Sequence, residues 1–495
     1  MRIRNINLTE GSIWKQVFAF ALPLLITNLM QHFYAVADLM IVGNYSGIDA
    51  MAGIGATASI INMMIGFSLG LGTGCSVVTA QVNGAQDYDG LYKTVHTGYA
   101  LALLTGVLIS LAGVFCAPLL LVKMGTPADI LPHAAEYLRI YFISGLAVMV
   151  YNMGAGILRG VGDTRHPFIY LSIGVVLNIA LDFLFVGVFR WGVKGAGWSY
   201  VIAQTVVALL VTISLVRSLT PFRLFLLDIA FHWDVLRRAL KVGVPAGLQA
   251  AIVALSNVFL QSVINKFGKH AVAGISAASR SDGIVFVLIT GLTLAAMTFT
   301  GVNMGAGRYD RVRKGLRQSL VLTFFVVAAV SAILLLFRMP IALLFNADPE
   351  VVYYTTRAIL VILSFYWLFA LGEIMGGVLR GIGHSVFPMV ISLICMAGVR
   401  LAWIYIVLPV WNSFDVILLA YPVSWFASLL GYLIYLKMKE GLLPKQDAPS
   451  EESTEETAEG HALPMRGETE ANSAFPGEVN PDTAEEPLTL SGEES

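Results

Sequence analysis

The chain has 495 residues, 57% hydrophobic and 13% charged, with a formal net charge of −1 at pH 7 and a mean hydropathy of +0.75. That leaves too little polar surface to clothe a water-soluble domain, and no net positive charge to hold nucleic acid. Cys75, Cys116 and Cys395 lie in apolar runs without metal-ligand or disulfide spacing, so they read as small buried thiols.

A helix rises about 1.5 Å per residue, so roughly 20 apolar residues cross a bilayer. The first such run covers 14–42. It is too long for the core of a signal peptide and lacks a small-residue cleavage pattern, so it is expected to stay as the first span. Pro23 removes one of its backbone hydrogen bonds and can bend it. Asn28, Gln31, Tyr34 and Asp38 follow at spacings of three, three and four, which puts them on one helix face.

Further spans are expected over 51–80, 93–117, 134–157, 167–189 and 194–217. The fourth carries Asn152. The fifth carries Asn178 and Asp182 at i and i+4, again on one face. Asp182 falls ~22 Å along its helix, in the same outer half of the bilayer as Asp38. An ionised side chain at that depth is expensive, so each acid needs a reason. Desolvation and mutual repulsion both oppose double ionisation of such a pair, which suits it to share a proton or to flank a cation.

The second half repeats the first. Ala50-Met51-Ala52-Gly53-Ile54-Gly55-Ala56 returns as Ala271-Val272-Ala273-Gly274-Ile275-Ser276-Ala277. Gly84-Ala85 with Tyr88-Asp89 returns as Gly305-Ala306 with Tyr309-Asp310, and Leu158-Arg159-Gly160-Val161-Gly162 as Leu379-Arg380-Gly381-Ile382-Gly383, each 221 positions on. The Leu-Arg-Gly-x-Gly copies read as architecture: a glycine ends the helix, and the arginine meets carbonyl ends or lipid phosphate. Spans are expected at 236–264, 271–303, 315–338, 354–379, 386–409 and 414–437, making twelve in two groups of six. Six is even, so the two copies are parallel.

The acids are not duplicated. Gln261 roughly takes the place of Asp38, and Val399 and Trp403 those of Asn178 and Asp182. Arg280 and Asp282 read as a pair near the outer surface. Glu373 and Arg400 are candidates to neutralise one another, although their depths differ by ~12 Å, and a role for them in transport or gating stays open.

Lysine and arginine crowd the connectors on the side of the first residue, as at Lys93, Arg223, Arg311 and Arg317. They are sparse on the other side, so both termini are expected to be cytoplasmic. The organisation expected is a lobe over 1–217, a linker over 218–234 with a short amphipathic piece, a second lobe over 235–440 and a tail over 441–495. The tail holds 14 acids against Lys445 and Arg466, and reads as disordered. No phosphate loop, metalloprotease helix or nucleophile elbow is present, so neither an enzyme nor a bound cofactor is expected.

Taken together, Pro23, Ala37-Asp38-Leu39-Met40-Ile41-Val42-Gly43, Gly84-Ala85, Leu158-Arg159-Gly160-Val161-Gly162-Asp163-Thr164 and Asn178-Ile179-Ala180-Leu181-Asp182 resemble the multidrug and toxic compound extrusion (MATE) family over about positions 10–440. The resemblance implies an all-α fold of two six-helix bundles forming a V around a cavity. It implies export of amphipathic, often cationic compounds against inward H⁺ or Na⁺. It assigns the coupling ion to Asp38, Asn178 and Asp182, a lesser polar part to Asn152, and the bent helix to Pro23. The chain departs from the family at Val253 and Phe369, where one branch carries acids. It also departs at Tyr200, with Ser199 beside it, where a small hydroxyl residue is frequent. These departures favour H⁺ over Na⁺.

The reading is therefore a monomeric, multi-pass antiporter of a bacterial-type plasma membrane, taking a small organic cargo. Two alternatives remain. A flippase for lipid-linked oligosaccharide would want arginines lining its cavity. A non-transporting membrane scaffold would work through its tail.

Overall fold

The computed structural model describes residues 7–438, with the side chains of 32–37, 39, 48 and 49 excepted. The tail over 441–495 and the side chain of Tyr34 therefore lie outside the described residues.

Every long element is an α-helix, as the apolar runs predict, and no strand occurs among the described residues. The first half comprises α1 (Ile13–Ser46), α2 (Ile48–Gly84), α3 (Tyr88–Lys123), α4 (Leu131–Ile143), α5 (Gly145–Gly160), α6 (Arg165–Asp182) and α7 (Val193–Val216). The second comprises α8 (Trp233–Ile264), α9 (Lys269–Gly305), α10 (Tyr309–Leu336), α11 (Arg338–Phe345), α12 (Pro349–Ile382), α13 (Val386–Ile391), α14 (Arg400–Val407) and α15 (Phe414–Met438). Among the described residues eleven helices are long and apolar enough to cross a membrane, and α4 with α5, bent by 46°, makes a twelfth when taken as one span.

Local chemistry sets the boundaries. Asp87 caps α3 by accepting the Gly90 N–H at 2.8 Å, and Asp348 caps α12 through the Glu350 N–H at 2.9 Å. Gly162 and Gly383 end α5 and α12 with φ of 95° and 102°, as the repeated motif required. Two spans loosen into π-helix, at Phe183–Val188 after α6 and at Ser392–Val399 between α13 and α14. Neither widening shows in an apolar pattern. On α3, Leu104, Leu108, Leu111 and Phe115 are 50–75% exposed, a surface made for lipid. Cys116 lies on that exposed surface, against the expectation of a buried thiol, whereas Cys75 and Cys395 are buried.

The linker is tethered to α3. It forms only a short 3₁₀ turn at Leu226–Asp228. Tyr92 donates to Asp228 at 2.8 Å, the Phe225 N–H to His96 Nε2 at 3.0 Å, and the His232 N–H to Thr97 at 3.0 Å, so α3 holds it in place.

The two halves meet along a seam lined by glycine. A Cβ on Gly70 would lie 2.4 Å from the Gly247 Cα, and one on Gly74 2.2 Å from the Ala239 oxygen. One on Gly84 would lie 2.0 Å from the Val302 oxygen, and one on Gly305 1.8 Å from the Gln81 oxygen. Gly84 and Gly305 are equivalent in the repeat, so each half notches into the other. Gln81 adds a hydrogen bond to the Gly381 oxygen at 2.9 Å. Along α1, the residues Val17, Phe20, Leu24 and Leu25 bury themselves against Leu292, Ala295 and Phe299 of α9. These approaches all fall on the side where α1 begins and α2 ends.

Candidate functional site: a buried acid pair beside a cavity

In the first half, away from the seam, α1, α2, α4–α7 surround a cavity of about 320 Å³. Ile54, Ile61, Ile65, Leu69 and Val175 supply apolar wall. Polar groups converge on it from Gln31, Asn62, Asn152, Asn178 and Gln204, with Tyr137, Tyr141, Tyr151 and Tyr200. This mix of apolar surface and few oriented polar groups is typical of small-molecule sites.

Asp38 stands at the cavity wall and is buried, and Asp182 lies fully buried behind it. The two side chains approach closely enough to interact. Asp182 is the last α-helical residue before the π-helix of the fifth span. With its amide nitrogen turned toward Asp182, Asn178 donates to Asp182 Oδ2 at 3.1 Å and accepts the Tyr200 N–H at 3.0 Å. The Ser199 hydroxyl contacts Asp182 Oδ1 and lies 2.8 Å from the Ala196 oxygen.

Sequence reasoning placed Asp38, Asn178 and Asp182 in one face-to-face group, and the structure brings these three together. Gln31 and Asn152 also reach the cavity, the latter donating to the Val148 oxygen at 3.0 Å. Asn28 is half-buried and does not line the cavity. α1 runs through Pro23 as one helix, with the Thr27 hydroxyl on the Pro23 oxygen at 2.7 Å.

The hydroxyl whose place Tyr200 seemed to take is present one residue earlier, on Ser199. The aromatic side of the site was missed. Tyr141 and Tyr200 stack with ring centroids 4.3 Å apart, next to Tyr137. The i, i+4 spacing of Tyr137 and Tyr141 was the available signal.

The second half corrects three expectations. Glu373 does not pair with Arg400: it meets Arg380 at 3.5 Å, and Arg380 also donates to Gln249 at 2.8 Å. Seven residues is two helical turns, which puts Glu373 and Arg380 on one face. Nor does Arg380 reach for helix-end carbonyls or lipid. Arg400 is buried among neutral partners, donating to Asn257 at 3.0 Å and to Ser256 at 3.3 Å, with its guanidinium 4.7 Å from the Tyr421 ring centre. Among the described residues no ion pair joins Arg280 to Asp282, because positions i and i+2 diverge on a helix. Gln261 is engaged with Asn265 at 3.0 Å, near the end of α8.

Twelve helical spans in two parallel copies, with intramembrane acids beside a cavity, define a membrane transporter. The MatE family model matches residues 23–184 and again 245–406, and the chain belongs to that family of multidrug efflux transporters. It is 28% identical over 436 residues to the probable multidrug resistance protein YoeA of Bacillus subtilis, covering 86% of this chain and 94% of that one. It is also 28% identical over 391 residues to the probable multidrug resistance protein YpnP of the same organism, covering 78% and 87%. A solved MOP superfamily transporter from Pyrococcus furiosus superposes with a TM-score of 0.84 at 24% identity, covering 90% of this chain and 100% of that one. The relatives are transporters, not enzymes.

Proposed function

We propose that the protein is an antiporter that expels amphipathic organic cations in exchange for protons, through the Asp38–Asp182 pair. The observation that carries this reading is the close approach of the two acids at the wall of the cavity. Two buried carboxylates this close do not both stay ionised unless a cation joins them, so the pair takes up positive charge. Whatever occupies the cavity meets that charge at Asp38. A cationic cargo and a proton then compete for one site, and only their different affinities for the two conformations drive the exchange.

Protons are favoured over Na⁺ by the donor set. The Tyr200 N–H beside Asn178 favours the amide orientation that puts nitrogen toward Asp182, which leaves Ser199 and the two carboxyls as oxygen ligands. Na⁺ bound there would have to turn that amide. The cargo is a small organic cation, matched by the tyrosines and apolar wall. Among the described residues lining the cavity there is no arginine or lysine, which speaks against a pyrophosphate-linked lipid.

With both termini cytoplasmic in a bacterial cell membrane, the glycine seam closes the inner side and the cavity belongs to an outward-facing state. Protonation of the pair rearranges the hydrogen bonds of Asn178 and α1 around Pro23 and expels cargo outward. The lobes then rock and release the proton inside. A monomer suffices. The test is efflux from sealed vesicles with proton and sodium gradients imposed separately across a panel of organic cations. The proton gradient should drive it, and Asp38→Asn should stop it without unfolding the protein. Undiminished coupled efflux in that variant rejects the assignment.

A further inference from the structure

The first helix belongs to one half of the chain and buries itself against the other. Val17, Phe20 and Leu24 of α1 share an apolar cluster with Leu316 and Leu320 of α10. Beside that packing, α1 and α10 leave a groove of about 390 Å³, lined by Trp14, Arg317, Gln318, Val321, Leu322 and Phe325. The groove opens to the outside of the bundle, since Trp14, Val321 and Phe325 are 51–65% exposed.

Both walls are patterned. On α1 the exposed residues Trp14, Phe18, Leu22 and Ile26, and on α10 Arg317, Val321 and Phe325, follow at spacings of four, so each set is a stripe along its helix. The α1 stripe is ~18 Å long, close to the ~15 Å of hydrocarbon in one leaflet. At the end where α1 begins, the chemistry changes. Arg317 is exposed there, and among the described residues it has no ion pair and no hydrogen bond. Lys15 is exposed as well, with its ammonium 5.5 Å from the Trp14 ring centre. The acids nearest to them in sequence are engaged elsewhere: Glu10 accepts from Asn7 at 3.5 Å, and Asp310 lies 3.9 Å from Lys314. An apolar trough of one-leaflet length, headed by unneutralised cations and a tryptophan suited to the membrane interface, is complementary to an anionic amphiphile.

We propose that the groove between α1 and α10 is a binding site for an anionic phospholipid, with the phosphate held by Arg317 and Lys15 and an acyl chain lying between the two stripes. Gln318 supplies an amide at the same mouth. A zwitterionic headgroup brings its own cation to this place and gains less from it. The groove joins a helix of the first half to a helix of the second, so its occupant holds the two halves together on this side. The site rests on the chain's place in a membrane and not on the choice of cargo or coupling ion, so its failure leaves the antiporter reading standing.

The experiment reads occupancy by tryptophan fluorescence. The purified protein is placed in phosphatidylcholine nanodiscs that carry, at equal mole fraction, either brominated phosphatidylglycerol or brominated phosphatidylcholine, and the quenching due to Trp14 is the difference between the wild type and Trp14→Phe. Phosphatidylglycerol is expected to occupy the site about tenfold more readily than phosphatidylcholine, and Arg317→Gln to cut that preference about fivefold, the scale of one basic residue at a membrane surface. Arg317→Lys should keep most of it. High salt should narrow the preference in the wild type, which answers the question without a variant should Arg317→Gln fail to fold. Equal quenching of Trp14 by the two lipids, or a preference that neither Arg317→Gln nor salt diminishes, overturns the site. Loss of the preference on adding soluble glycerol phosphate also overturns it, because the groove would then take a free anion rather than a lipid.

Discussion

The two halves share a fold and differ in what fills it. The first keeps a cavity of about 320 Å³ with an acid pair at its wall; the corresponding place in the second is packed with aromatic side chains around a gap of about 10 Å³. The difference runs residue by residue. Val148 and Gln204 line the cavity in one half, and Phe369 and Trp425 close it in the other. Asn152 is neutral where Glu373 is charged. In consequence Arg380 is neutralised by Glu373, whereas its counterpart Arg159 is buried with its Nε unpartnered among the described residues. A duplicated scaffold thus separates two duties. One lobe holds a cavity with buried acids at its wall, and the other holds a packed wall.

The largest effect should come from the pair itself. Asp38→Asn removes the group proposed to exchange ion and cargo, and gradient-driven accumulation should fall about hundredfold, near the upper end of ordinary coupling energies. Efflux measured in vesicles checks it, with the melting temperature confirming that the fold survives. Next is Glu373→Gln, which gives the second lobe the neutrality of the first and strands Arg380. It should cost about 2 kcal/mol of stability, less than a fully buried pair because Glu373 is a quarter exposed, while ion coupling stays intact. Denaturation in detergent compared with vesicle efflux separates the two readouts.

Smaller again is Gly84→Ala. Its Cβ would overlap the Val302 oxygen across the seam, and overpacking of this kind costs about 1–2 kcal/mol of the closed state. Cysteines placed near the termini should label faster in this variant. The smallest change is Ser199→Ala, which removes the hydroxyl from Asp182 and is worth about 1 kcal/mol. It should shift the pH dependence of efflux modestly, leaving maximal transport nearly unchanged. A null effect would mean that this hydroxyl only closes the turn to Ala196.

Much of this was legible in the chain. Span lengths, the parallel repeat and the shared face of Asn178 and Asp182 follow from periodicity, because a bilayer forces apolar runs into helices. The meeting of Asp38 and Asp182 was also legible, since an acid in lipid must turn inward. What stayed hidden depends on which helices touch. The pairing of Glu373 with Arg380, two turns on along the same helix, is a choice among faces; the depth difference of ~12 Å spoke against Arg400 but did not name the partner. The π-helices at Phe183–Val188 and Ser392–Val399 shift side chains round the axis without changing the apolar pattern. That Ser199 rather than Tyr200 turns its hydroxyl to Asp182 is a matter of ~100° round the helix axis, which the sequence pattern does not settle. The plugging of the second cavity is a matter of ring volume, visible only once Phe369 and Trp425 are seen to converge.

Proton release on cargo binding tests the central claim most directly. Purified protein in weakly buffered detergent solution, with a pH indicator, is titrated with an organic cation. The wild type should release protons on binding, because the cation displaces the one shared by Asp38 and Asp182, and Asp38→Asn should release none. Equal release from both proteins would contradict the account.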